Sequence, residues 1–291
     1  RHMIQNIIIN GLINGSIYAL LAIGFSLVFG VARIVNIAHT AFYMLAAYVI
    51  YVGFHYLGIS PYVAMPLAII IVGLLSVVCY KLFINPIREH EAAVLIATIA
   101  LAMVIQEALL IGFGGHYLGV PPLVSGYTII AGVKVTNQHL LALGVAILAL
   151  IGAWALLMKT RLGLALRATA QDREVANLMG MNEARVAMLT MGISVMLAAL
   201  AGAIVVPLFV LDPHMWMHPL IMMLAIVVLG GLGSMKGSFI GAYILAFAEV
   251  LVVFLLPMGA YLKGSVALSI MILVLLIRPE GLFGVAFEEE R

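Results

Sequence analysis

Four polar side chains recur at the spacing of one helical face early in a strongly apolar chain: Asn36, His39, Thr40 and Tyr43. Residues three and four positions apart lie on the same side of a helix. Amide, imidazole and hydroxyl groups inside a membrane could contact the polar groups of a small solute. The other interpretation is that they satisfy backbone groups freed where a helix begins, or hydrogen-bond to a neighbouring helix. His39 has no histidine or carboxylate three or four positions later, so we predict no metal site here.

Three further polar residues interrupt later apolar runs. Gln106 and Glu107 lie in the middle of the fourth run, and Glu249 lies within the eighth. A carboxylate in hydrocarbon needs a positive or hydrogen-bonding partner, or it takes up a proton. Each of these residues either lies near a translocation path or bonds between helices. We predict no catalytic residue in the chain.

The elements that position these residues must be membrane helices. The 291 residues are 65% hydrophobic and 9% charged, whereas soluble domains carry about 45–50% apolar and about 25% charged residues. A spanning helix needs about 20 apolar residues. Apolar runs fall at about 6–30, 37–56, 62–83, 93–113, 139–158, 187–211, 219–233, 239–256 and 264–277.

These runs predict an all-α, polytopic integral membrane protein with eight or nine spanning helices. We expect one transmembrane domain over residues 3–287, and we take Arg1 and His2 before Met3 for a cloning remnant. Polar and glycine-rich residues flank the first and seventh runs, so either could be a broken or re-entrant helix. Eight spans with the N-terminus inside is the alternative topology.

The loop charges predict the orientation. All of the 14 lysines and arginines except Arg1, Lys134 and Lys263 fall in loops that lie on one side in the nine-span arrangement. The positive-inside rule places those loops in the cytoplasm and the native N-terminus outside. With so few charges in all, the chain carries no nucleic-acid footprint. The external loop, about 114–138, predicts a small hairpin around the turn Ala131-Gly132.

The segment at about 159–186 is the most polar part of the chain. Thr169 with Asp172 three residues later predicts a capping box, and Gly180 suits the left-handed position after a helix end. We therefore expect a cytoplasmic helix of about ten residues between them.

One face of this short helix is apolar, with Val175, Leu178 and Met179 at helical spacing and charges around the rest. Such a helix can seat in a groove on a soluble partner. Alternatively, it lies flat among lipid headgroups.

Four groups of motifs, far apart in the chain, are specific in combination. One is Thr160-Arg-Leu-Gly163, Arg167-Ala168, and Asp172-Arg-Glu-Val-Ala176 through Met179-Gly180. The others are Asn36-Ile-Ala-His39 through Met44-Leu45 and Ala47-Tyr48, the glycines of Gly230-Gly-Leu-Gly233 with Gly237 and Gly241-Ala242, and the terminal Arg278-Pro-Glu-Gly-Leu-Phe-Gly284. In their order over nearly the whole chain, these motifs resemble the permeases of bacterial branched-chain amino-acid ABC importers, and the group from Thr160 to Gly180 resembles the cytoplasmic coupling segment of that family. The family usually has glycine at positions 40 and 47, so Thr40 and Ala47 should alter local packing.

The resemblance implies a bacterial inner-membrane importer for leucine, isoleucine, valine or related small solutes. Its expected partners are a second permease (related or identical), two cytoplasmic ATPase subunits, a periplasmic solute-binding protein and membrane lipid. The chain lacks a Gly-x-x-x-x-Gly-Lys-Ser/Thr loop, so it is not expected to be an enzyme or to hold a cofactor, and ATP and magnesium would bind to the ATPase subunits. The resemblance assigns ATPase coupling to Arg167, Asp172, Arg173, Glu174, Val175, Ala176, Leu178, Met179 and Gly180.

A self-sufficient secondary transporter or channel is the rival interpretation. In that case Glu107 or Glu249 would carry coupled protons, and the purified chain would move solute without a partner.

Overall fold

The computed structural model describes residues 2–284 of the chain as a helical bundle with one small hairpin. The end of the predicted domain, at 285–287, and the basic residues Arg1 and Arg291 lie outside the described residues. The first six helices are α1 (His2–Ala32), α2 (His39–His55), α3 (Pro61–Cys79), α4 (Glu91–Phe113), α5 (Asn137–Lys159) and α6 (Arg161–Gln171). The other five are α7 (Arg173–Leu178), α8 (Glu183–Val205), α9 (Met217–Gly230), α10 (Met235–Leu255) and α11 (Gly259–Ile277).

Within these residues, seven helices are long and apolar enough to cross a membrane: α1, α3, α4, α5, α8, α10 and α11. The expected count of eight or nine is therefore not confirmed. The two remaining apolar runs form shorter helices. Helix α2 has 17 residues and α9 has 14, and both are shorter than the roughly 20 residues that a full span needs. Helix α9 stops at Gly230 because Gly231 adopts a left-handed conformation (φ +100°).

The first run, for which a broken helix was one prediction, forms one continuous helix. The non-helical backbone lies after this helix. After α1 ends at Ala32, Arg33 takes a positive φ of 56°, and the chain stays irregular until α2 begins at His39. Ile34, Asn36 and Ala38 of this stretch are buried. Non-helical backbone at membrane depth is tolerated only when protein or a cavity surrounds it.

Helices α1 and α8 form the centre of the bundle. Helix α1 packs against α10, α8, α5 and α9, while α8 packs against α1, α2 and α3. Small residues permit the close crossings: Cβ atoms on Gly11 and Gly15 of α1 would overlap the rings of Phe247 and Tyr243 of α10. The hydroxyl groups of Ser16 and Tyr243 lie 2.6 Å apart across the same crossing. Close approach of small residues is how membrane helices gain packing energy without a hydrophobic driving force.

The hairpin predicted around Ala131-Gly132 is confirmed. Strands β1 (Tyr127–Ile130) and β2 (Val133–Thr136) pair antiparallel, with Tyr127 opposite Thr136. The two turn residues, Ala131 and Gly132, both have positive φ, as a two-residue hairpin turn requires.

The segments beside Arg33, Lys236 and Arg278 lie next to one another at one end of the bundle, which we call the basic end. The terminal segment folds back on α9, since the amides of Leu282 and Phe283 donate to the carbonyl oxygens of Leu229 and Gly230. These three of the loops predicted to share one side therefore meet at one end of the protein.

Candidate functional site

Helices α6 and α7 form a two-part segment at the basic end. The hydroxyl of Thr160 caps α6 by accepting from the amide of Gly163 (3.0 Å), and the Nε of Arg167 donates to the carbonyl of Leu157 (3.0 Å). A Cβ on Gly163 would overlap the last carbonyls of α5. The segment that follows Lys159 thus begins with a tight turn that brings α6 back against the end of α5.

The predicted capping box is wrong, and the predicted ten-residue helix is replaced by two helices that meet at Asp172. The carboxylate of Asp172 itself caps α7, accepting from the amide of Val175 (3.0 Å). Thr169 is buried inside α6, where its hydroxyl donates to the carbonyl of Ala165 (2.9 Å). A threonine hydroxyl can bond to the carbonyl four residues earlier instead of capping. Gly180 has φ +87°, which confirms the left-handed position after α7.

Arg173 anchors α7 to two central helices. Its Nε and Nη2 both lie 3.2 Å from the carbonyl oxygen of Val31, at the end of α1, and its Nη1 lies 3.4 Å from the carboxylate of Glu183, at the start of α8. Asn177 also donates to Glu183 (3.4 Å). Because α7 is tied to the ends of α1 and α8, a force on α7 acts on the core of the bundle.

The opposite side of α7 is an exposed apolar ridge, which we define as Val175, Leu178 and Met179. Their exposed fractions are 52%, 85% and 78%, whereas Ala176 is buried against the protein. Glu174 is exposed beside the ridge. The ridge is thus presented outwards, as a docking element requires, with its anchor behind it.

The polar cluster at the start of α2, with Asn36 just before the helix, lies in the protein core. Asn36, His39, Thr40 and Tyr43 are all buried. The Nε2 of His39 lies 3.1 Å from the carbonyl of Leu21 in α1, and the amide nitrogen of Asn36 is 3.6 Å from the sulfur of Met191 in α8. The side-chain oxygens of Asn36 and Thr40 have no hydrogen-bond partner among the described residues. The cluster therefore links α1, α2 and α8. Its role in a path for the transported solute stays a prediction.

Glu107 lies on the outer surface of the single chain. Its neighbour Gln106 donates to its carboxylate (3.1 Å) and accepts from the indole nitrogen of Trp216 (2.8 Å). Glu107 is exposed, with exposed Met103 and Val104 on the preceding turn. An acidic group therefore faces outwards from an apolar helix.

Glu249 lies in a buried polar network that joins four helices. It is 5% exposed; its Oε2 accepts from the Tyr18 hydroxyl (2.9 Å), and its Oε1 lies 3.3 Å from Nε2 of His218 and 3.5 Å from Nζ of Lys263. The carboxylate thus has the positive and hydrogen-bonding partners that its burial requires. Sequence reasoning missed the three partners, although His218 and Lys263 are ionisable residues at helix starts and a search for such groups would have found them.

Replacing Glu249 with glutamine is expected to lower the free energy of unfolding by about 1–3 kcal/mol, because Lys263 then loses its countercharge and a buried hydrogen bond weakens. Denaturant unfolding of the purified protein in detergent checks this value. The exposed Glu174→Gln change is the control and should have little effect. Equal stability of both variants would show that the network contributes nothing to the fold.

The chain is similar to proteins of a known family over nearly all of its length. The family model described as "Branched-chain amino acid transport system / permease component" matches residues 7–275. The chain is 30% identical to the high-affinity branched-chain amino acid transport system permease protein BraD of Pseudomonas aeruginosa, over 97% of this chain and 96% of that protein. It is also 30% identical to the LivH permease protein of Escherichia coli, over 94% of each chain. A probable LivH permease of Methanocaldococcus jannaschii is 28% identical over 98% of this chain and 94% of that protein.

The fold is also similar to a solved structure, PsaBC from Streptococcus pneumoniae in complex with Fab. The TM-score is 0.55 at 18% sequence identity, covering 96% of this chain and 93% of that one. At this identity the likeness concerns the fold alone. The family match spans most of the residues described above, including α7, the α2 cluster and Glu249. The chain belongs to the branched-chain amino acid transport system permease family.

Proposed function

We propose that this chain is a membrane subunit of an ATP-binding-cassette importer, and that it moves branched-chain or other small hydrophobic amino acids delivered by a periplasmic binding protein. The observation that carries the proposal is the exposed ridge of α7, backed by the Arg173 anchor. An apolar ridge on a short helix fits a groove on a soluble subunit, and the anchor gives that subunit a mechanical connection to α1 and α8. The transport systems to which the similar BraD and LivH permeases belong support the solute class.

The proposed assembly contains a second permease, two ATPase subunits that bind ATP and magnesium, and the binding protein. The basic end faces the cytoplasm of the inner membrane, in accordance with the positive-inside rule. We count α2 and α9 with the seven long helices as partial spans, which gives nine and leaves the N-terminus outside. Affinity purification from the native membrane, followed by identification of every associated chain, tests the assembly. Recovery of the chain without an ATPase would contradict it.

We place the solute path along the outward face of α4. A carboxylate that faces lipid is costly, whereas one at a hydrated subunit interface is not. The exposure of Glu107 on a spanning helix therefore favours a neighbouring permease, and a path between the two, at this face. Glu249 is less suited to a mobile role in the same path, because three partners hold its carboxylate.

Replacing Glu107 with leucine is expected to reduce ATP-driven uptake by about tenfold, because an apolar side chain removes a polar contact for the solute or the second permease. Uptake of labelled leucine by the reconstituted complex measures it. Glu91→Leu, at the other end of α4, is the matched control and should retain uptake. Unchanged uptake in the Glu107 variant would exclude α4 from the path.

A further inference from the structure

An apolar groove of about 550 Å³ lies between α5 and α10, and its lining residues belong to α1, α5 and α10. Both helices pack against α1, which forms the floor at Ile23, but they make few contacts with each other. Exposed Ile151 and Trp154 line one wall, and exposed Phe239 and Ile240 line the other. The groove is therefore open to the surroundings of the bundle along its length.

The groove extends over only one half of the bundle. Along α5 its lining runs from Met158, beside the basic end, to Ile147, a rise of roughly 16 Å at 1.5 Å per residue. The hydrocarbon core of a bilayer is about 30 Å thick, so one leaflet occupies about 15 Å. The length of the groove matches the acyl chains of the leaflet at the basic end.

Two lysines lie at the basic end of this groove. Lys236 is part of its lining, and the Nζ of Lys159 lies 5.8 Å from the ring centre of Trp154, another lining residue. Both lysines are exposed, and neither forms an ion pair with another residue of the 2–284 range. The apolar groove thus ends beside two positive charges, at the level where lipid headgroups lie.

We propose that this groove is a binding site for one anionic phospholipid, with the acyl chains between α5 and α10 and the headgroup phosphate between Lys159 and Lys236. Basic pockets between membrane helices at the cytoplasmic side are suited to anionic headgroups. The indole of Trp154 sits where tryptophan is favoured, near the membrane surface. A helix from another subunit would fill the apolar part of the groove but would leave two lysines without a countercharge.

The fluorescence of Trp154 tests the proposal directly. The chain has two tryptophans, so Trp216→Phe leaves Trp154 as the reporter at the groove. This variant of the full chain is reconstituted into vesicles that contain brominated phosphatidylglycerol or brominated phosphatidylcholine, and quenching gives their relative binding at the groove. We expect the anionic lipid to be preferred, and the preference to fall about fivefold for each lysine changed to glutamine at positions 159 and 236.

Lys81→Gln removes a lysine from the basic end outside the groove and should leave the preference intact. High salt provides a test that needs no further variant, because screening should weaken the preference of the unaltered groove. Equal quenching by the two lipids, or a preference insensitive to both lysines and salt, overturns the proposal. Absence of quenching by either lipid also overturns it, since protein then covers the groove.

Discussion

Replacing Leu178 and Met179 together with glutamate is expected to reduce ATP-driven uptake by tenfold or more, while the protein still folds and inserts. The two side chains form most of the exposed ridge of α7 and make little contact with the rest of the chain, so their loss should leave the fold intact. Carboxylates in an apolar groove on the ATPase would be desolvated without partners, and central apolar contacts of this kind carry about 2 kcal/mol or more of binding.

The measurement is uptake by the reconstituted complex, with ATPase activity and the thermal midpoint determined on the same samples. Leu178→Met is the matched control, because it keeps an apolar side chain of similar volume and should retain uptake. Normal uptake by the double glutamate variant would refute a docking role for α7. Loss of uptake with a lowered thermal midpoint would indicate a structural defect instead.

Replacing Gly237 with alanine is expected to destabilise the protein by about 3 kcal/mol or more. Gly237 of α10 faces Gly230 at the end of α9, and a Cβ on either residue would overlap the backbone of the other. Backbone atoms cannot give way as a side-chain end can, so the two helices must separate. The terminal segment would be displaced as well, because Phe283 bonds to the Gly230 carbonyl.

Gly264→Ala is the control for the Gly237 change. Gly264 lies inside α11 and has open space where a Cβ would be built, so alanine should be neutral or raise stability by up to about 1 kcal/mol through helix propensity. Denaturant unfolding in detergent compares the two variants. Similar stability of both would mean that the contact between α9 and α10 is less close than the structure shows.

Local signals were predictable from the sequence, whereas distant pairings were not. The hairpin turn at Ala131-Gly132 and the left-handed Gly180 depend on neighbouring residues only, and both are confirmed. The cap at Thr169 was wrong because a threonine hydroxyl has two local uses, and only the extent of α6 decides between them.

The Glu249 network illustrates the limit of sequence reasoning. The need for a partner follows from the apolar run, but Tyr18 is 231 residues away in sequence, and no local pattern connects them. The short helices α2 and α9 show a related limit. Hydropathy reports that a segment avoids water, and the interior of the bundle satisfies that requirement as well as lipid does. Buried short helices and full spans therefore give similar runs.

Uptake into proteoliposomes tests the central claim, that α7 is driven by a separate ATPase. Vesicles that contain only this chain, and vesicles that contain it with its second permease and ATPase subunits, are supplied with labelled leucine and binding protein. We predict uptake only in the complete vesicles, and only when ATP is hydrolysed. Solute accumulation or conduction by the chain alone would contradict the account.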